Sequence, residues 1–396
     1  MSDLSNVMLV LMRLDILEPT PLSGRAQELK RDGQHQLLVA VIDPRKRSPV
    51  AVVDLSKAVR TAYNRASKGF DDISQMYCRT DGFVSRPESY NEDQQRKVLL
   101  AMSRVGRDIW EIFQDLKHPV RESIDALLKS SGRAMQPVTI LTNDFSIPWF
   151  WLNEKIDDPF LCEVCSLGMQ HFSSAGGTGD APGSGLGEGT YDALLINGYP
   201  DLPFGRRELD TVKTLLEEEG GRAKYVFRTH YADTSKQIKI LRDEDDENQR
   251  RTDFPIVHFC GKYSKDTLWL KGGPLSKNVL KDVLNRSLLV LDGYRSECGV
   301  STWPDLVNFT SDLVNGGKAL GCVVPVFPVK NDPIAARILW GSFYPDLRRG
   351  AITVGQALAN ARFALKTQFE NNPVWAAYQL IGSPIGQLAA DDDEET

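Results

Sequence analysis

The sequence is poor in cysteine and histidine, with 6 cysteines and 5 histidines in 396 residues. The cysteines are scattered along the chain, so the composition excludes a small disulfide-stapled protein and favours a reducing, cytoplasmic setting. No two histidines are spaced as a ligand pair on one helix, and the sequence therefore predicts no metal site.

The chain also lacks a long hydrophobic run and an excess of basic residues. No apolar stretch approaches the roughly 20 residues that cross a bilayer, and the first segment, MSDLSNVMLVLMRLD, has no basic start typical of a secretion signal. The net charge is −6, and the acidic run DDDEE at 391–395 supplies most of it. We therefore expect no membrane partner, the composition gives no clear signal of a nucleic-acid partner, and we interpret residues 387–396 as a disordered acidic tail.

Apolar runs of strand length alternate with amphipathic segments along most of the chain. Residues 1–90 predict a mixed α/β region that either extends the main sheet or forms a separate recognition domain. From 91 to 386 the alternation predicts an α/β domain whose mainly parallel sheet carries helices on both faces. The glycine-rich segment 173–190 is predicted to be a flexible loop within it.

Several local patterns inside this domain invite a more specific interpretation. A helix is expected from Asp93 to about Lys129, ended or kinked at Pro119, and FLCEVCSL at 160–167 is predicted as a strand. Cys162 and Cys165 in that segment form a CxxC pair, but no second ligand pair follows, so we interpret them as core residues. The run GSGLGEG lacks the Lys-Ser/Thr ending of a phosphate loop, and we expect no cofactor.

Two predicted strands run into tight polar turns, at IVHFCGKY (256–263) and at LLVLDGYRSECG (288–299). The carboxyl ends of parallel strands are where α/β proteins gather their functional groups. Neither turn contains an obvious acid–base pair, so the sequence leaves open whether the site is catalytic.

The segment from about Val98 to Pro384 resembles a CHAT domain, a caspase-like peptidase family common in bacteria. SIPWFWLNE, which contains Trp149, is similar to the family's Pro-Trp-Glu-Leu segment. IVHFCGKY is similar to the strand ending in His-Phe-x-x-His-Gly, and LVLDGYRSECG to Ser-x-Cys-x-Ser-Gly at the next strand end. The stretches 323–365 and 372–384 follow in the family's order, and the resemblance implies a caspase-like fold.

The same resemblance implies that both members of the catalytic dyad are replaced. His258 matches the first, structural histidine of its motif, whereas Lys262 stands at the position of the catalytic histidine. Tyr294 stands at the position of the nucleophilic cysteine, and Ser296 matches the serine two places on. Glu297 departs from the glycine that follows in the family.

These replacements remove the chemistry of a cysteine peptidase. A phenol with a pKa of about 10 and an ammonium with a pKa of about 10.4 supply neither a thiolate nor a base near neutral pH. Loss of the nucleophile from a triad protease costs on the order of a millionfold in turnover. We expect no peptidase activity through Lys262 and Tyr294, which leaves a scaffold that binds other molecules.

The resemblance further implies a protein partner, either a protease, its substrate or a sensor subunit, in a bacterial conflict or antiphage defence system. Asp292 and Arg295 flank the substituted positions, and together with Ser296 and Trp149 they are the predicted binding residues. The alternative is an active or partner-activated cysteine peptidase that uses Cys298 with His258. A third interpretation is an unrelated small-molecule binder of the α/β class.

Overall fold

The computed structural model describes 16 ranges of the chain. The ranges are 6–14, 36–46, 48–54, 57–78, 92–114, 116, 118–129, 135–171, 189–198, 203–218, 223–243, 253–264, 267–295, 303–327, 333–350 and 352–388. The predicted site residues Ser296 and Cys298 lie outside these ranges, as do most of the glycine-rich segment and the acidic run at 391–395.

The first part of the chain supplies an antiparallel edge of the sheet and three helices. Its elements are β1 (Val7–Arg13), β2 (Gln36–Ile42), β3 (Val50–Asp54), α1 (Lys57–Cys78), α2 (Glu92–Ile112), α3 (His118–Leu128) and β4 (Gln136–Thr142). Strand β1 pairs with β2 in antiparallel fashion and with β4 in parallel. The described strands of the first 90 residues therefore extend the main sheet, which is one of the two arrangements predicted for this region.

The middle of the chain alternates strands and helices. Its elements are α4 (Leu161–Val164), β5 (Cys165–His171), β6 (Gly189–Asn197), α5 (Pro203–Glu217), β7 (Tyr225–Ala232), α6 (Ser235–Asp243) and β8 (Ile256–Ser264). The last part contains β9 (Thr267–Leu270), β10 (Gly273–Leu275), α7 (Lys277–Val283), β11 (Ser287–Arg295), α8 (Trp303–Asn315), β12 (Ala319–Pro325), α9 (Pro333–Arg348), α10 (Val354–Gln368) and β13 (Tyr378–Gly382).

All of these strands join one mixed sheet, in the order β10-β9-β8-β11-β12-β13-β5-β4-β1-β2-β3, with β6 and β7 attached beside β8. Most pairings across its centre are parallel, including β6–β8, β8–β11, β11–β12 and β4–β5. The predicted α/β class with a mainly parallel sheet is therefore confirmed.

The central strands are covered on both faces. Residues 256–259 of β8 and 288–291 of β11 are completely buried at every position, although consecutive side chains of a strand point to opposite faces. Continuous burial of this kind requires packing layers above and below the sheet, which explains why both strands are near-continuous apolar runs in the sequence.

Two local predictions were wrong. The segment FLCEVCSL does not form one strand, because Leu161–Val164 is a short helix and only Cys165 onward is extended. The Glu163 carboxylate accepts a hydrogen bond from the Phe160 backbone N–H at 2.8 Å, which stabilises this turn. Apolar periodicity did not reveal the helix, since Leu161 and the thiols of Cys162 and Cys165 are all buried.

Pro119 does not interrupt a continuous helix. Helix α2 already ends at Ile112, and α3 begins at His118, so Pro119 lies in the first turn of the second helix. A proline costs little at that position, because the first backbone N–H groups of a helix have no partner within it. None of the helices in the described ranges combines the length and apolar character that a bilayer crossing requires.

Candidate functional site

The two polar strand ends singled out in the sequence lie side by side. Strands β8 and β11 are parallel neighbours, and in their register Tyr294 is directly opposite Lys262. The pairs Asp292–Cys260 and Val290–His258 precede them along the same two strands. The side chains of Lys262 and Tyr294, like that of Arg295, lie outside the described part of the structure.

The turn after β6 packs closely against this part of β8. The Gly198 backbone N–H donates to the Cys260 carbonyl at 2.8 Å, and a Cβ atom added to Gly261 would lie 2.5 Å from the Gly198 Cα. Glycine at position 261 is therefore a steric requirement of the fold, because the β6 turn and β8 approach backbone to backbone.

Two residues before Tyr294 on β11, Asp292 is buried among aromatic donors. One carboxylate oxygen accepts from the Trp340 Nε1–H at 2.6 Å, and the other accepts from the Tyr378 hydroxyl. Trp340 lies on α9 and Tyr378 on β13, so two other elements hold the carboxylate in place. Burial raises the pKa of the Tyr378 phenol well above its usual range, and the neighbouring Asp292 carboxylate raises it further. The phenol therefore stays protonated and can donate to Asp292.

His258 lies on β8, and none of its side chain is exposed. Its Nδ1 lies 2.6 Å from the Tyr344 hydroxyl oxygen, which fixes the orientation of the ring. Its Nε2 has no hydrogen-bond partner. Burial lowers the pKa of His258 to about 4, so the imidazole is neutral near pH 7.

Glu208, on α5, completes this group from the covering helix layer. Its carboxylate Oε1 lies 3.9 Å from His258 Nε2, and its side chain is 12% exposed. That oxygen is itself buried and has no hydrogen-bond partner. Burial raises the pKa of Glu208 well above its usual range, and the neighbouring Asp292 carboxylate raises it further.

The fold thus brings two carboxyl groups and an imidazole from three elements into one buried cluster. One ligand-type atom from each of Glu208, His258 and Asp292 lies within 4.8 Å of the other two. Among the ion pairs formed by described side chains, none joins a lysine or arginine to Glu208 or Asp292. We call these three residues, with Trp340, Tyr344 and Tyr378, the Asp292 cluster.

The other predicted binding residue lies apart in the core. Trp149 is almost completely buried, and its indole N–H donates to the Asp144 carbonyl at 3.1 Å. Its ring lies against Phe113 of the segment after α2, with ring centroids 6.1 Å apart. The cysteines of the CxxC pair are buried as well, and burial raises the pKa of the Cys162 thiol to about 12, as expected for a core residue.

The sequence pointed to two members of the Asp292 cluster, His258 and Asp292. It did not point to the other four, which are Glu208, Trp340, Tyr344 and Tyr378. Glu208 is one acid among several on an amphipathic helix, and nothing in its local sequence distinguishes it from the exposed acids. Trp340 and Tyr344 are four residues apart on α9 and therefore share one helix face, which was the available signal for them.

No family model matches the chain, and no curated protein is significantly similar to it.

Proposed function

We propose that this chain is a caspase-like scaffold of the CHAT type that has lost its catalytic dyad and binds a protein partner through the former active-site edge. The observation that carries the proposal is the register of β8 and β11. The two positions that resemble the dyad, Lys262 and Tyr294, are directly opposite each other at the carboxyl ends of neighbouring parallel strands. Two side chains that must exchange a proton need this proximity.

The environment of His258, beneath the two strand ends, also supports an inactive scaffold. His258 is fully buried, and its Nδ1 is engaged by Tyr344, so the imidazole has no surface from which to activate a substrate or a thiol. A general base has to come within hydrogen-bond reach of the proton that it removes. This burial favours the inactive scaffold over a peptidase that uses Cys298 with His258.

Rebuilding the dyad tests the assignment of the two positions. In the double variant K262H/Y294C, the new thiol should be alkylated by iodoacetamide with a pKa below the ordinary 8.5 or so, because a neighbouring imidazole stabilises the thiolate. The matched control is K262Q/Y294C, whose thiol has neither an ammonium nor an imidazole opposite it and should keep an ordinary pKa. Equal reactivity in the two variants would contradict the dyad geometry.

The same edge should contact the partner. With a photo-crosslinking residue at position 294, the chain expressed in its native host should form one discrete adduct. The control carries the crosslinker at Ile334, an exposed position on α9. Adducts of equal pattern at both positions would mean that the edge has no special role in binding.

The peptidase alternative is tested separately by Cys298→Ala in a peptide-library digestion assay of the full chain. The scaffold proposal predicts no cleavage by either the wild type or the variant. Cleavage that disappears in the variant would reject the scaffold and establish a displaced nucleophile.

A further inference from the structure

The Asp292 cluster has the composition of a cation site. It combines two carboxyl groups with a histidine nitrogen, and these are the oxygen and nitrogen ligands that Zn²⁺ and related divalent ions accept. The three ligand atoms lie within 4.8 Å of one another, so small side-chain movements bring them within coordination distance of a single ion. From this arrangement we infer that Glu208, His258 and Asp292 bind one divalent transition-metal ion, of which Zn²⁺ is the model.

The two atoms without hydrogen-bond partners are the independent support for this assignment. His258 Nε2 and Glu208 Oε1 are both buried and unpartnered, and they lie 3.9 Å apart. A buried polar atom without a partner has lost its hydrogen bonds to water and gained none in return, so two of them facing each other require an explanation. A metal ion between them accounts for both, since zinc bonds of about 2.0–2.1 Å to nitrogen and oxygen span that separation.

The surroundings of the ligands also match those of metal sites. Histidine ligands are normally held through their second ring nitrogen, and here the Tyr344 hydroxyl lies 2.6 Å from His258 Nδ1. Carboxylate ligands are normally hydrogen-bonded in turn, and Asp292 accepts from Trp340 and Tyr378. These contacts orient both side chains before any ion arrives.

A divalent ion also matches the charge of the ligand set, because its two positive charges equal those of the two carboxyl groups in their ionised, metal-binding form. The inference does not depend on the proposed scaffold function, because it rests on the buried residues beneath the strand ends rather than on Lys262 and Tyr294.

The test measures zinc binding by the purified full chain. After chelator treatment and return to buffer with Zn²⁺, the wild type should retain about one equivalent through gel filtration, as expected for a closed structural site. Glu208→Gln keeps the shape of the side chain but removes its charge. Loss of the hydrogen-bond partners of metal ligands typically weakens metal affinity by about 10- to 100-fold. Glu208→Gln removes a ligand itself, so we expect the affinity for Zn²⁺ to decrease by at least about 100-fold.

The matched control is Glu218→Gln, directly after the same helix, where the side chain is exposed. It should bind Zn²⁺ like the wild type. A wild type that retains no zinc would overturn the inference and mean that the cluster is complete without an ion. Undiminished binding by Glu208→Gln would overturn it too, because the ion would then be held elsewhere.

Cobalt provides a readout that does not depend on the stability of a variant. Co²⁺ bound to oxygen and nitrogen ligands should give only weak visible bands in the wild type. An intense near-ultraviolet band from thiolate ligation would mean that cysteines hold the ion, and it would contradict the assignment to Glu208, His258 and Asp292.

Discussion

Two strand ends of the same sheet each carry an aspartate that is almost completely buried. Asp144 follows β4 and is 7% exposed, whereas Asp292 lies on β11 and is 6% exposed. Equal burial makes them a natural pair, because desolvation costs each carboxylate a similar amount. What differs is how the rest of the fold compensates that cost.

Asp144 is compensated by charge and by its own turn. One oxygen accepts from the Ser146 backbone N–H at 3.0 Å and from the Ser146 hydroxyl at 2.6 Å. The other lies 3.5 Å from a guanidinium nitrogen of Arg13. Most of these partners come from the same short segment, which is typical of a residue that shapes a turn.

Among the described side chains, the hydrogen bonds to Asp292 come from neutral donors, and a second acid lies beside it. Trp340 and Tyr378 donate to it from distant parts of the chain, and Glu208 adds a carboxyl group with an unpartnered oxygen. The comparison shows that burial alone does not identify a functional site. Asp144 is compensated by a cation and by partners in its own turn, whereas Asp292 depends on distant neutral donors and lies beside two unpartnered ligand atoms.

The largest expected effect follows from removing the second aspartate. Asp292→Ala should lower the free energy of unfolding by about 3 kcal/mol, because two buried donors lose their acceptor at roughly 1–3 kcal/mol each. Urea denaturation followed by circular dichroism measures this. If Asp292→Ala lowered the free energy of unfolding by less than Asp144→Ala does, Asp144 rather than Asp292 would be the more important of the two aspartates for stability.

Zinc should act on one strand end only. At a concentration 100 times the dissociation constant, Zn²⁺ should stabilise the wild type by about 2.7 kcal/mol, since a ligand that binds only the folded state shifts the equilibrium by that amount. Thermal unfolding with and without chelator measures the shift. The stabilisation should persist in Asp144→Ala and vanish in Glu208→Gln, and its persistence in the second variant would contradict the site.

The sequence allowed the α/β class and the placement of the two polar turns at strand ends to be predicted, and both predictions rest on short-range information. Alternating apolar runs indicate strands and helices, and successive parallel strands align their carboxyl ends. The β9–β10 hairpin was not predicted, because TLWL and GPL are too short to produce a clear period. The local environment of Lys262 therefore includes a neighbour, Trp269 of β9, that the sequence did not indicate.

The Asp292 cluster could not be predicted in the same way. Its members are contributed by α5, β8, β11, α9 and β13, which lie far apart along the chain. The sequence predicted no metal site because its histidines are not spaced as a ligand pair and no second ligand pair follows the CxxC of Cys162 and Cys165. A ligand set of one histidine and two acids from separate elements has no spacing signal, and only the packing of α5 and α9 over the sheet brings it together.

A smaller effect is expected at the first strand end. Asp144→Ala should cost about 1.5 kcal/mol, because the lost hydrogen bonds involve Ser146, which is half-buried and accessible to water. Restoring a neutral acceptor with Asp144→Asn should recover part of this loss, as measured by urea denaturation. A cost as large as that of Asp292→Ala would mean that the ion pair with Arg13, rather than the turn, dominates.

The smallest effect is expected for Glu208→Gln in the metal-free protein. In metal-free protein at mildly acidic pH, Glu208→Gln should change the free energy of unfolding by less than about 0.5 kcal/mol, the scale of substitutions that remove no specific feature. Burial and Asp292 raise the pKa of Glu208, so its carboxyl group is neutral there and an amide of the same shape replaces it. The variant should therefore match the wild type without zinc and differ from it only when zinc is present. A large loss in the metal-free state would mean that the Glu208 carboxyl group is already bonded within the protein, and that the Asp292 cluster, like the Asp144 turn, is complete without an ion.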